Sequence, residues 1–569
     1  MAGLAAAPAV AGSCQVGRIA ELPVTMQGLR PIVAAEINGH DAPFILDSGA
    51  FFSTISPGVA KALELTLEPL PGFHLRGIGG SSEAAATRVA RFTLAGIVIP
   101  NVQFVVGGSD VGQTGLLGQN VLGLADVEYD LPGGAVRLFR PKGCERFGMA
   151  YWTEGKPAFT VDVQSLDTAG RHTVAQVELD GAKLQATFDT GAPTTVVSLR
   201  AAARAGVRPG GPGVAPAGWS SGLGSRVTQG WRAHFDLLRI GSEELHNVRL
   251  HIADLPPEID MLIGADYFVS HRVYVSNAQH RLYFTYTGGR LFDTGARIDA
   301  NGPVAAAGGR GDAAPTDAAG FSARGAMYRT QRDLPHALAD VSRAIELAPG
   351  EASYPYQRAI IDLELGRPAP AMADLDKALS LAPDDARARL LRAQVAMRTG
   401  RREPALADLD RLATALPRTD MARLAVGRLY TAADAFPRAI AQLDLWLDTH
   451  PGDARRAEAL NERCWARALA GQDLAKARAD GAAAVRLNPA DPSYRDSRAL
   501  AELRLGDLDA ALADYDAVLA INPRQAWSLY GRAVIERRRG QTDEADRDLA
   551  AAAAIEPRLP ERAKRYGIE

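Results

Sequence analysis

Apolar and polar positions follow two different patterns along the chain, and the change falls near residue 318. Before it, short runs of Val, Ile, Leu and Phe alternate with Gly, Pro and Asn, which predicts β-strands joined by turns. After it, Ala, Leu, Arg and Asp recur with a helical period. Ala296 to Gly320 is rich in Ala, Gly, Asp and Pro, the composition of a linker. The expected order is an N-terminal piece over 1–13, one β unit over 14–150, a second over 151–290, a linker over 291–317 and a helical array over 318–569.

The β half contains a duplication. Gly39 lies eight residues before Asp47, and Gly181 lies eight before Asp189. Each copy predicts a strand, a turn, a second strand and an Asp-Ser/Thr-Gly-Ala at the strand end. Asn101-Val102 precedes Gly118 by seventeen residues, and Asn247-Val248 precedes Gly264 by seventeen. The distance from Asp to that later Gly is 71 residues in one copy and 75 in the other. Matching landmarks in matching order indicate two copies of one fold.

The helical half has a countable period. Pro349, Pro383, Pro417, Pro451, Pro489, Pro523 and Pro557 are spaced by 34, 34, 34, 38, 34 and 34 residues. Twelve residues before them stand Ala337, Ala371, Ala405, Ala439, Ala477, Ala511 and Ala545, where a small side chain lets two helices approach closely. Val341, Leu375, Leu409, Leu443, Tyr515 and Leu549 fill a further apolar slot, which Gly481 leaves empty. These landmarks resemble the tetratricopeptide repeat, of period about 34 residues. The resemblance implies a stacked solenoid whose concave face takes peptides or proteins.

Composition narrows the function. With 47% hydrophobic and 23% charged residues the chain is ordinary globular material, and a net charge of −3 supplies no basic field for nucleic acid or anionic membrane. No run of eighteen apolar residues exists to span a bilayer. Met1 to Ala11 has the small apolar character of the end of a secretory signal, with Ala9-Val10-Ala11 as the cleavage pattern, but lacks a basic start. Export to the periplasm or outside is the expectation, with a floppy Ala-rich terminus as the other reading. Three cysteines are few. In an oxidising compartment Cys14 and Cys144 could join the ends of the first β unit, or both could stay as free thiols. Cys464 reads as a small buried apolar residue.

The chemistry rests on the two Asp turns. Two carboxylates about 3 Å apart cannot both ionise, so they share a proton and titrate as a unit. The ionised member can take a proton from water while the other donates to a carbonyl oxygen. Gly49 and Gly191 supply backbone freedom, and Ser48 and Thr190 supply hydroxyls that bond neighbouring backbone. With Ala50 and Ala192 completing each turn, both halves resemble a lobe of the pepsin/retropepsin family over about residues 20–287. That resemblance implies two mainly antiparallel β lobes forming a pseudodimer, each with one short helix after a second motif, ahead of the all-α solenoid. It implies a dyad of Asp47 and Asp189 within one chain, cross-lobe hydrogen bonds from Ser48 and Thr190, and hydrolysis of peptides or proteins without a cofactor. Leu116-Leu117-Gly118 and Leu262-Ile263-Gly264 match the second motif that packs beneath the catalytic loop. Gly77-Ile78-Gly79-Gly80 and Gly222-Leu223-Gly224 occupy the place of substrate-covering flaps.

Other constellations are missing from the sequence. There is no His-Glu-x-x-His, no Cys pair with zinc spacing and no phosphate loop. A third tripeptide, Asp293-Thr294-Gly295, sits in polar irregular sequence and lacks a following apolar-apolar-Gly, so it reads as a plain turn. The rival function is a binding scaffold whose protease-like lobes are inactive.

Overall fold

A strand that ends in Asp-Ser/Thr-Gly must be held on both sides if its carboxylate is to be fixed in space. In the computed structural model this holding is done by the second motif. The structure describes residues 14–77, 80–108, 114–153, 157–164, 173–221, 227–288, 291–292, 297–298, 315–453 and 455–569. In the first lobe the buried strand Phe44–Leu46 leads to Asp47 and pairs in parallel with Gly115–Leu117. The opposite edge of Gly115–Leu117 pairs antiparallel with Thr54–Ile55, just past the Asp turn. The second lobe repeats this, with Met261–Ile263 between Ala182–Phe188 and Val196–Ser198. The motif strand is thus threaded between the two strands that flank each Asp turn.

The lobes share one antiparallel sheet. Its strands run in the order Gln15–Gln27, Ala135–Lys142, Asp126–Asp130, His271–Ser276, Arg281–Tyr286 and Phe159–Gln164. At the lobe boundary Val127 faces Val275, Glu128 faces Tyr274 and Tyr129 faces Val273, which places an approximate two-fold axis through the Glu128–Tyr274 pair. The fully buried Glu128 accepts hydrogen bonds from Arg137 of its own lobe at 2.6 Å and from Arg272 of the other at 2.9 Å. A buried charge without such partners would cost several kcal/mol, so this ion group ties the lobes in one register. Cys14 and Cys144 form a disulfide that closes the ends of the first and last strands of lobe one.

Each lobe has one helix more than expected. Gln119–Leu122 and Ala265–Phe268 follow the second motif. Pro57–Ala62 and Leu199–Arg204 follow the Asp turns. Their signal is local: Ser56 accepts from the Val59 N–H and Ser198 from the Ala201 N–H, and Pro57 suits a first helical position.

Among the described residues, the helical half consists of seven antiparallel helix pairs from Ala318–Thr330 to Thr542–Ile555, followed by Leu559–Arg565. All seven of the periodic alanines are fully buried. In the 38-residue unit the first helix, Arg456–Ala470, is lengthened to 15 residues. The empty slot at Gly481 is filled by Cys464 and Arg498, which a β-carbon there would meet at 3.1 and 2.9 Å. A further periodic feature binds six of the seven pairs. Arg324, Arg358, Arg392, Arg463, Arg498 and Arg532 grip Asp340, Asp374, Asp408, Asp480, Asp514 and Asp548 with two guanidinium nitrogens. Two parallel hydrogen bonds fix orientation as well as attraction. In the fourth pair Gln442 replaces the Asp and is met by Arg423.

The solenoid is docked on the lobes. Met327, on its first helix, belongs to the core of the β half. Thr330 donates to the carbonyl of Gly28 at 3.0 Å, and Gln331 to that of Val269 at 2.9 Å.

Candidate active site

The two Asp turns meet at the lobe boundary and interlock. Ser48 Oγ accepts from the Thr190 N–H at 2.9 Å and donates to the Phe188 carbonyl at 2.8 Å. In mirror fashion Thr190 Oγ1 accepts from the Ser48 N–H at 3.0 Å and donates to the Leu46 carbonyl at 2.8 Å. Ser48 and Thr190 are buried, so each hydroxyl satisfies backbone groups that water cannot reach.

The turn backbone then aims the carboxylates. Asp47 Oδ1 accepts from the N–H groups of Gly49 at 3.0 Å and Ala50 at 2.7 Å. Asp189 Oδ1 accepts from Gly191 at 2.9 Å and Ala192 at 3.2 Å. The glycines are required by sterics across the boundary. A β-carbon on Gly49 would lie 2.3 Å from Asp189 Cγ, and one on Gly191 would lie 2.3 Å from Asp47 Cγ. Each carboxyl group therefore fills the place of the side chain missing from the other turn, and the two carboxyls hydrogen-bond to each other.

Burial raises the pKa of both acids, and the neighbouring Asp189 charge raises Asp47 further, well above the ordinary carboxylate range. The backbone N–H groups work in the opposite sense on both. Two carboxyls this close resist ionising together, so they titrate as a unit.

Gly118 and Gly264 lie directly beneath the turns. A β-carbon on Gly118 would reach the Ala50 carbonyl at 2.7 Å, and one on Gly264 the Thr194 carbonyl carbon at 2.5 Å. Leu117 and Ile263 are fully buried, and their carbonyls accept the N–H groups of Asp47 and Asp189 at 3.0 and 2.8 Å. Leu262 is buried and Leu116 half-buried in the same strands. The hairpins on either side of the two flap positions are present. Leu67–Gly77 pairs with Gly80–Leu94 up to Gly77 opposite Gly80, and Ala215–Ser221 pairs with Val227–Ile240. Ile78, Gly79, Gly222, Leu223 and Gly224 lie outside the described residues, as do the 1–13 piece and the Asp293 turn.

Four features escaped the sequence reading. Tyr129, buried beneath the dyad, hydrogen-bonds Ser48, and burial together with the two aspartate charges drives its phenol upward. Phe73, on the first hairpin, packs on Phe52 at 5.7 Å, and Phe52 on Phe51 at 4.6 Å, so one side of the site is aromatic. In the second lobe Pro193 and Thr194 take those two turn positions. Asn120 accepts from Ser53 N–H and Oγ at 2.7 Å, whereas the equivalent acceptor for Thr195 is Asp266, an acid pushed up to about 6 by burial. Among the described residues no group of three His, Cys, Asp or Glu side chains is arranged to hold a metal, and no helix is long and apolar enough to cross a membrane.

Comparison with known proteins agrees with this geometry. Residues 33–121 and 175–267 each match the aspartyl protease family, and residues 325–396 match a tetratricopeptide repeat. The chain therefore carries two aspartyl protease-like segments followed by a tetratricopeptide-type solenoid. Solved repeat structures similar to the helical half include a tetratricopeptide repeat protein from Parabacteroides merdae, 18% identical, covering 44% of this chain and 98% of that one with a TM-score of 0.36. Yeast Tom70 is 18% identical over 43% of this chain and 52% of its own, with a TM-score of 0.27. No curated protein matches the chain.

Proposed function

We propose that the β half is an aspartic endopeptidase and that the solenoid recruits its protein or peptide substrates. One observation carries this reading: each catalytic-type carboxyl occupies the side-chain space of the glycine in the opposite turn, so the acids are held together by both lobes at once. In the proposed cycle a water molecule between the acids loses a proton to the ionised member. It attacks the scissile carbonyl carbon as the protonated member donates to the carbonyl oxygen. The tetrahedral intermediate then collapses: the C–N bond breaks as the amine takes the proton that the first acid drew from water, a hydroxyl of the intermediate returns a proton to the second acid, and no covalent enzyme intermediate forms. Ser48 and Thr190 act through the turns as positioning residues. Phe51, Phe52 and Phe73 offer an apolar wall to one flank of an extended peptide. The Cys14–Cys144 bridge supports export to an oxidising compartment.

The test is incubation of the whole chain with a diverse peptide library between pH 3 and 8, with new termini read by mass spectrometry. Cleavage clustered on a subset of sequences supports the endopeptidase. Peptides retained at every pH and never cut would instead support a binding scaffold.

A further inference from the structure

Residues 559–569 fold back over the solenoid beyond its last helix pair. A helix that merely caps a repeat array covers the last pair, and Leu559 and Ala563, both fully buried, do that. The residues after it go further. Gly567, at φ 68°, turns the chain so that Tyr566 and Ile568 point into the array, 9% and 2% exposed. The Tyr566 hydroxyl donates to Asp434, which lies in the turn of the fourth helix pair, and Arg565 reaches the same carboxylate at 3.0 Å. The Tyr566 ring lies 5.5 Å from Phe436 of the fourth pair and 6.4 Å from Trp527 of the seventh. Arg504 of the sixth pair clamps the Tyr566 carbonyl at 2.9 Å while also donating to Ala468 and Leu469 of the fifth. Tyr530 of the seventh pair donates to the Ile568 carbonyl at 3.1 Å, and Arg562 lies over Trp527 at 5.7 Å. One short segment therefore touches the fourth, sixth and seventh helix pairs, and Arg504 links it to the fifth.

We propose that this surface of pairs four to seven is a recognition groove for a basic-aromatic-glycine-aliphatic peptide segment, and that residues 559–569 are its resident intramolecular occupant. The contacts define the ligand chemistry. Asp434 takes a phenolic hydroxyl and a flanking cation, Phe436 and Trp527 hold an aromatic ring, Arg504 and Tyr530 take main-chain carbonyls, and the core beside them takes a branched aliphatic side chain. An outside peptide must displace the resident segment, so its apparent affinity is its intrinsic affinity reduced by the small fraction of chains with the groove open. The inference concerns the solenoid and holds whether or not the lobes cleave peptides.

The probe is a fluorescent peptide with the sequence of residues 559–569, titrated into the full chain and followed by polarisation. A full-length Tyr566→Ala/Ile568→Ala variant should bind it at least tenfold more tightly than the unaltered chain. Adding Asp434→Ala to that variant should weaken binding at least fivefold. Tyr566→Phe keeps the ring and removes only the hydroxyl on Asp434, and it should bind the probe several-fold more tightly than the unaltered chain. This serves as the deciding variant if circular dichroism shows the double variant unfolded. Equal binding by the unaltered chain and the folded variants, or binding indifferent to Asp434, would overturn the proposal. Sedimentation showing that the unaltered chain is a dimer that becomes monomeric in Tyr566→Ala would assign the segment to a second copy and overturn its intramolecular role.

Discussion

The carboxyl group of Asp189 sits in the space that a side chain on Gly49 would occupy, 2.3 Å from where its β-carbon would be. The same holds for Asp47 and Gly191. A glycine in each turn is thus a condition of the opposite acid's position, and the two lobes are coupled at the atoms where chemistry would occur.

Gly49→Ala should therefore separate the acids without altering either one. A methyl group with no room beside it costs about 1–3 kcal/mol in a packed site. Peptide cleavage should fall at least a hundredfold while urea unfolding shifts by only that amount, with Gly191→Ala behaving alike. A fully active Gly49→Ala chain would mean that the acids do not act together.

Ser48→Ala should loosen the join between lobes. It leaves the buried Thr190 N–H without its acceptor and the Phe188 carbonyl without its donor, a cost of about 1–3 kcal/mol. Denaturant unfolding of the purified chain measures it, and Thr190→Val should cost a similar amount from the other side.

Asp266 gives a pH prediction with a definite sign. Burial raises its carboxyl from the ordinary 3.8 to about 6, so the folded state binds a proton more tightly than the unfolded state. Stability from this group is complete below the ordinary carboxylate range and is lost as pH rises through about 6, by at most about 3 kcal/mol. Asp266→Asn, which copies Asn120 of the first lobe, should flatten the change in melting temperature between pH 4 and 7. An unchanged pH profile would contradict the burial argument.

The disulfide is testable by thiol counting. Alkylation of the denatured, unreduced chain should label Cys464 alone of the three cysteines. Cys14→Ser should cost about 2–4 kcal/mol, since the bridge closes a long loop in the unfolded chain.

Much of the site was legible because its parts are local. Asp47-Ser48-Gly49 and Asp189-Thr190-Gly191 are short strings, and their spacing to Gly118 and Gly264 repeats. What escaped notice was set by distant partners. Nothing near Tyr129 announces that it will lie under Ser48, because that contact depends on how the lobes pair through the Glu128–Tyr274 axis. Phe73 is an ordinary strand aromatic until its hairpin folds over Phe52. The solenoid was legible through its alanines and prolines, whereas the pairing of Arg358 with Asp374 and its equivalents needed the fold to show which side chains face each other. The short helices at Pro57 and Leu199 did carry a local signal, the capping serine before each, but it was obscured by the surrounding strand pattern.

The most direct test of the shared-proton dyad is the pH profile of kcat/KM for one cleaved peptide with the unaltered chain, Asp47→Asn, Asp189→Asn and the double variant. Two acids that share a proton and a water act as a unit, and the unaltered chain should give a bell-shaped profile. Either single substitution should then abolish as much activity as both together, at least about a hundredfold. Single variants that keep activity, or losses that multiply in the double variant, would contradict it.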